Sequence, residues 1–312
     1  MTTGSNTVTN EPKNKNLRAQ GGAGEKVNWL AELRGLALML LAVLVFHTFV
    51  AKPFYIPSPS MMPSLLEGDR LVVSKYPYGW SWVSASFHVL PRSKTRIWPA
   101  TPEYGDIVVP VPPHHDVDYI KRVVGLPGDR LAVVNGQIIL NGVPVPQAVE
   151  PAIQIPIDPN NTCDEFDYPG MAITRQSGER VCEMPTYRET LPNGATYLII
   201  DHKRQALDDY PEITIPAGHV FLMGDNRDHS SDGRAPAAPA GAPVSTGLGG
   251  PVPLENIGGR AEFITFSLDG TTTWNPVSWW TSLRGDRAWT TLRPARAKIT
   301  GASSAPAGHN DV

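Results

Sequence analysis

Apolar residues are distributed along this chain in two different ways. Gly35 to Ala51 reads GLALMLLAVLVFHTFVA, a run without a charge. As a helix it would extend about 26 Å at ~1.5 Å per residue, enough to cross a bilayer core. Downstream the apolar positions come in short or alternating runs bounded by Gly, Pro or Asp: Arg70 to Val73, Ile107 to Val109, Tyr119 to Val124, Val220 to Met223 and Ala261 to Phe266. Such runs predict strands. Val133 to Gly142 adds two Asn-Gly steps, Asn135-Gly136 and Asn141-Gly142, the dipeptide that closes tight hairpins. The expected fold is mainly β, an antiparallel-sheet domain behind one N-terminal transmembrane helix.

The same pattern sets the expected boundaries. Residues 1–28 are polar and read as a disordered tail, 29–51 as a membrane anchor, 52–300 as a β domain and 301–312 as a second tail. Within the β domain, 146–200 is expected to be an inserted hairpin region, and 235–250, rich in Ala, Pro and Gly, a flexible loop.

Charge orients the anchor. Lys13, Lys15, Arg18, Lys26 and Arg34 precede the apolar run and only Lys52 follows it closely. Positive charge stays on the cytoplasmic side, so the N-terminus is expected there and the β domain beyond the membrane. A cleaved secretory signal is the alternative, but Phe49 stands three residues before the only suitable cut, after Ala51, where a small side chain is required. The formal charge of -3 over 312 residues gives no cationic field, which argues against nucleic acid as a partner. The only two cysteines, Cys163 and Cys182, cannot make a four-thiolate zinc site. In an oxidising compartment they are expected to form one disulfide, worth roughly 3 kcal/mol by chain entropy; two free buried thiols are the alternative.

The candidate chemistry begins close to the anchor, where Ile56-Pro57-Ser58-Pro59-Ser60-Met61 offers serines a few residues past Ala51. A serine hydroxyl needs a base, usually histidine. The eight histidines are scattered, no Gly-x-Ser-x-Gly elbow occurs, and His114, His115 and His229 read as surface residues. Lysine can serve instead if burial lowers its pKa by several units. Lys121, on a strand face shared with Tyr119 and Val123, has the apolar neighbours for this, although a lone lysine more often reaches out to solvent.

Several segments then occur in a telling order: Ser58-x-Ser60-Met61-x-Pro63; Gly68-Asp69 followed by Lys75; Gly105-Asp106-Ile107-Val108; Tyr119 to Asp129; and Gly224-Asp225-Asn226-Arg227-Asp228-His229-Ser230-Ser231-Asp232-Gly233-Arg234. Together they resemble the bacterial type I signal peptidases, membrane-bound serine-lysine endopeptidases that remove signal peptides from exported proteins. The resemblance runs from about Leu36 to Ser267. It implies Ser60 as nucleophile and Lys121 as general base, the Ser60 N–H and Ser58 hydroxyl as oxyanion donors, and Ser230 as the hydrogen-bonding partner that orients Lys121. Asp225, Arg227, Asp232 and Arg234 are expected to hold the loop that carries Ser230. Phe54, Ile56, Met61, Leu65 and Ile120 are expected to line shallow pockets that admit small side chains, giving an Ala-x-Ala preference by steric exclusion.

The resemblance further implies an inner-membrane protein with a periplasmic domain, secretory preproteins and membrane lipid as partners, and no metal or cofactor, since no ligand cluster is visible in the sequence. Pro59 stands where the family often has glycine; it removes no needed donor and should bias Ser58 to extended dihedrals. His229 and Gly233 vary within the last motif. A specialised peptidase for conjugation or pilus components is the alternative within this chemistry, and a silent membrane-anchored binding module the alternative outside it. Trp274, Trp279, Trp280 and Trp289 fit either a membrane interface or a terminal packing layer.

Overall fold

The computed structural model describes residues 28–85, 90–242 and 246–297. The tails expected over 1–28 and 301–312 lie, but for Asn28, outside the described residues, as do residues 243–245 of the 235–250 stretch. The chain divides into two compact units, Met1–Ala42 and Val43–Val312. The first is described only from Asn28 and holds most of helix α1 (Trp29–Phe49), 21 residues that after Glu32 and Arg34 in the first turns are apolar on every side, none of them buried. A helix with no polar face suits a lipid surrounding.

The second unit is built almost wholly of strands: β1 (Ala51–Tyr55), β2 (Asp69–Ser74), β3 (Ile107–Pro110), β4 (Lys121–Gly125), β5 (Arg130–Val134), β6 (Gln137–Leu140), β7 (Val143–Pro144), β8 (Gln147–Pro156), β9 (Ala172–Thr174), β10 (Arg180–Thr190), β11 (Ala195–Ile199), β12 (Tyr210–Thr214), β13 (His219–Met223), β14 (Val252–Pro253), β15 (Ile257–Ser267) and β16 (Ala295–Arg296). Every named pairing is antiparallel. The main sheet runs β1-β2-β15-β3-β4-β13-β14. A second joins β16-β11-β10-β8, with β9 on β10, and a third joins β12-β5-β6-β7.

Local chemistry explains the turns. Asn135 and Gly136 take φ of 51° and 82°, Asn141 and Gly142 φ of 54° and 81°, the left-handed pairs that the β5–β6 and β6–β7 reversals need. Residues 146–200 contain the long β8–β10 ladder, in which Cys182 lies opposite Ile155. The Cys163–Cys182 disulfide forms across nineteen positions and packs with Met62, Leu66, Tyr168, Met184 and Ile200.

Beneath the first strands lies a core of Ile56, Met61, Leu65, Leu71, Val73, Ile107, Val109, Ala261, Ile264 and Leu292. It anchors the segment between β1 and β2, whose ends close through Ile56 N–H to the Asp69 carbonyl and Gly68 N–H to the Ile56 carbonyl, both 3.0 Å. The described arms of the 235–250 stretch are tied together and to the loop before them: Gly249 N–H bonds the Ala235 carbonyl at 3.0 Å and Leu248 N–H the Asp232 carbonyl at 2.9 Å. Of the four tryptophans, Trp274 is 98% exposed and Trp289 74%, so they do not form a buried terminal layer.

Candidate active site

Ser60 sits on a single 3-10 turn, Pro59–Met61, preceded by Ser58 in the extended conformation (φ -146°, ψ 152°) expected before proline. The turn is nailed down from below by the buried side chain of Met61 and from the side by Asn226. The Asn226 N–H bonds the Ser60 carbonyl at 3.2 Å, and its side-chain amide bonds the Pro59 carbonyl and the Tyr168 hydroxyl, each at 3.2 Å. Ser60 is buried, and among the described residues its N–H has no acceptor.

Lys121 opens β4, where the ladder with β3 sets it opposite Val108 and directs its side chain towards the turn. It is only 3% exposed. Its Nζ lies 2.9 Å from Ser60 Oγ and 2.9 Å from the Ile120 carbonyl, and 5.4 Å from the centre of the Tyr119 ring. Burial lowers the Lys121 pKa to about 8, against the opposing pull of Asp232 and Asp225 and with some help from Arg234. Ser58 Oγ stands 3.3 Å from Ser60 Oγ, on the same short segment.

Ser230 is placed differently from the expectation. It is buried, but among the described residues its hydroxyl has no hydrogen-bond partner, so the bond expected between Ser230 and Lys121 is not formed; the Lys121 amine bonds Ser60 and Ile120. Gly224 explains how closely the parts approach: a Cβ there would fall 2.2 Å from Ser230 Oγ and 2.4 Å from the Ser60 carbonyl oxygen. Only glycine leaves room for both.

The four charged residues expected to hold the Ser230 loop, Asp225, Arg227, Asp232 and Arg234, are buried and paired. Asp225 takes a two-pronged bond from Arg122, 2.7 Å from Nε and 2.6 Å from Nη2, and a bond of 2.5 Å from the Ser64 hydroxyl. Arg227 pairs with Glu189. Asp232 accepts from Arg234 Nε and Nη2 and from the Gly224 N–H, each at 3.0 Å. Burial alone would push the Asp232 carboxyl up; the Arg234 charge and these hydrogen bonds hold it below the ordinary carboxylate range. Arg122, Glu189 and Asn226 are partners that reading the sequence does not single out. Arg122 lies next to Lys121 in a quoted motif, but Glu189 sits in β10 with no local signal.

A cleft of about 320 Å³ opens on Ser60 and Lys121, walled by Phe54, Ile56, Ile120, Val109 and Tyr119. Met61 and Leu65, expected on this wall, are instead fully buried in the core beneath it. They set the floor from behind and touch no opening. His229, expected on the surface, is half-buried on the cleft wall, its ring 4.9 Å from that of Tyr168, and burial lowers its pKa. Lys75 is also buried, with its pKa lowered to about 8 by burial, but its amine lies 5.9 Å from the Phe54 ring and outside the Ser60 pair.

A buried serine-lysine contact thus lies at the mouth of an apolar cleft on an antiparallel sheet, an arrangement able to support nucleophilic hydrolysis. Comparison with known proteins gives the class. The family model for "Signal peptidase, peptidase S26" matches residues 29–266. Signal peptidase I of Rickettsia typhi is 31% identical over 260 residues, 80% of this chain and 82% of that one. Signal peptidase I of Rickettsia canadensis is 32% identical over 260 residues, with the same coverage of 80% and 82%. A crystal structure of a signal peptidase I from Enterococcus faecalis V583 aligns at 18% identity and a TM-score of 0.26, over 52% of this chain and 97% of that one. The chain belongs to the S26 signal peptidase family. It is a peptidase, and its N-terminal apolar helix makes it a membrane-anchored one.

Proposed function

We propose that this protein removes N-terminal signal peptides from exported preproteins, with Ser60 as nucleophile and Lys121 as general base. The observation that carries the reading is the 2.9 Å contact between Ser60 Oγ and a buried amine whose pKa is lowered to about 8. A neutral Lys121 takes the Ser60 proton as Oγ attacks the scissile carbonyl. The tetrahedral oxyanion meets the free Ser60 N–H and the Ser58 hydroxyl, donors that typically contribute about 100- to 1000-fold each. Collapse breaks the peptide C–N bond, and the Lys121 ammonium returns the proton to the leaving amine. A water then gives its proton to Lys121 and hydrolyses the acyl-enzyme, and the proton passes back to Ser60.

Phe54, Ile56 and Ile120 make the cleft narrow and apolar, which favours alanine-sized side chains at the positions before the cut, as in Ala-x-Ala. Ser230 takes the role of a packing partner that fixes the Ser60 turn through Gly224. The excess of Lys and Arg ahead of the helix supports an N-terminus in the cytoplasm and a catalytic unit on the outer side of the inner membrane.

The test is incubation of the purified protein with preproteins carrying Ala-x-Ala sites, followed by sequencing of the new N-terminus. Cleavage after the second alanine is expected, lost in Ser60→Ala and Lys121→Ala variants that remain folded. Substantial turnover by purified Lys121→Ala refutes the pair. Cleavage of one preprotein among several would replace the general role with a specialised one.

A further inference from the structure

Outside the lining of the cleft, three aspartates far apart in sequence come together. One carboxylate oxygen from each of Asp201, Asp208 and Asp228 lies within 4.8 Å of the others. Asp228 belongs to the Arg227–His229 turn, two residues before Ser230. Asp201 follows Ile200, whose N–H bonds the Asp225 carbonyl at 2.9 Å and whose carbonyl accepts from Arg227 N–H at 2.8 Å. Asp208 is 3% exposed and spends one oxygen on the Gln205 N–H at 2.8 Å. Its other oxygen, Oδ1, is sealed from solvent and has no hydrogen-bond donor.

An aspartate oxygen left bare in a buried position, among two further carboxylates, is costly unless something positive meets it. The neighbouring donors do not reach it. His202 Nδ1 lies 2.7 Å from Asp228 Oδ2, Gln205 Nε2 serves Asp228 Oδ1 at 3.0 Å, and Arg204 Nη1 approaches only the other Asp208 oxygen, at 3.9 Å. Arg234 is committed to Asp232. Asp201 accepts no hydrogen bond among the described residues and is half-buried, which leaves an approach from solvent. The β5–β6 turn closes the other side: Gly136 N–H bonds the Asp208 carbonyl at 2.9 Å, and a Cβ on Gly136 would fall 2.4 Å from Asp201 Oδ2.

We propose that Asp201, Asp208 and Asp228 hold a hard divalent cation of the calcium class, with water completing its oxygen shell. All-oxygen donors select a hard ion, and irregularly placed carboxylates open to water suit calcium's flexible shell better than magnesium's strict octahedron. The ion bridges the segment after β11 to the turn that leads into Ser230, so it braces the catalytic loop from outside the reaction. This departs from the expectation of no metal, because the three ligands are dispersed over the sequence and only the fold gathers them.

The test uses the full chain in detergent, stripped with EDTA and titrated calorimetrically with calcium chloride, with thermal melts alongside. Saturable binding is expected with a Kd of about 10⁻⁴ to 10⁻³ M, weaker for magnesium, and a rise in Tm at saturation. Asp201→Asn should weaken binding about tenfold or more and abolish the Tm rise; Asp208→Asn should do the same if the first variant folds poorly. Asp209→Asn, at an exposed neighbour paired to Arg204, should bind as the wild type does. Absence of saturation well above about 10⁻³ M calcium, or equal binding by wild type and Asp201→Asn, overturns the site. None of these measurements depends on peptidase activity.

Discussion

Arg227 and Glu189 meet as a buried fork: Nη1 donates to Oε1 at 2.8 Å and Nη2 donates to Oε2, with each side chain 1% exposed. The Tyr197 hydroxyl adds a bond to Glu189 at 2.7 Å, and Arg227 Nε reaches the Gly224 carbonyl at 3.1 Å. The fork thus fastens the long β10 strand to the loop that carries Ser230. Removing one member leaves an uncompensated charge in the interior. Arg227→Ala and Glu189→Ala should each cost about 3–5 kcal/mol in denaturant unfolding. Replacing both with apolar residues of similar volume should cost far less than the two single losses together. A single variant with an unchanged unfolding midpoint would show that the pair carries no structural burden.

Lys121 ties activity and stability to pH in the same direction but in two adjacent windows. Only the neutral amine can take the Ser60 proton, so turnover should rise about tenfold per pH unit below about 8 and level above it. In the unfolded chain the amine has its ordinary value of 10.5, so between about 8 and 10.5 the unfolded state binds more protons and folding strengthens as pH rises. Below about 8 the full cost is present. Lys121→Met should therefore stabilise the fold near pH 7 by on the order of 3 kcal/mol while abolishing cleavage, with the advantage vanishing towards pH 10.5. Unfolding curves of both proteins across that range provide the check; a constant difference would contradict the lowered pKa.

Gly224→Ala should be a defect of geometry more than of folding. The added carbon must displace Ser230 or the Ser60 carbonyl, from which it would be 2.2 Å and 2.4 Å away. A displacement near 1 Å at the nucleophile costs about 100-fold in rate. The expected result is a fall in kcat for preprotein cleavage on that scale. Gly285→Ala, with no atom within 4 Å of the new carbon, should leave both kcat and Tm unchanged. Wild-type turnover in Gly224→Ala would mean that the Ser60 turn tolerates movement.

The strands were legible where local patterning decides them. Arg70 to Val73 falls inside β2, Ile107 to Val109 inside β3, and both Asn-Gly steps are tight turns between strands. Ser60 and Lys121 could be picked out because their neighbours form dense local motifs. What escaped depends on register between distant segments. The resemblance names Met61 and Leu65 as pocket residues, but only the packed core separates a cleft's wall from its floor. Glu189 reads as any strand carboxylate until β10 brings it to Arg227, 38 positions away. His229 looks polar and exposed in sequence, yet Tyr168, drawn in by the disulfide-closed segment, gives it an aromatic wall to lie on.

Arg122, Arg227 and Arg234 are matched one to one by Asp225, Glu189 and Asp232, all sealed from solvent. These three pairs make a miniature ionic crystal, already electroneutral without Lys121. Under the proposed mechanism a proton taken up by Lys121 is an interstitial defect beside it: Asp232 and Asp225 attract it, but each is already matched by an arginine. Such a defect leaves for the first acceptor to appear, which is the leaving amine.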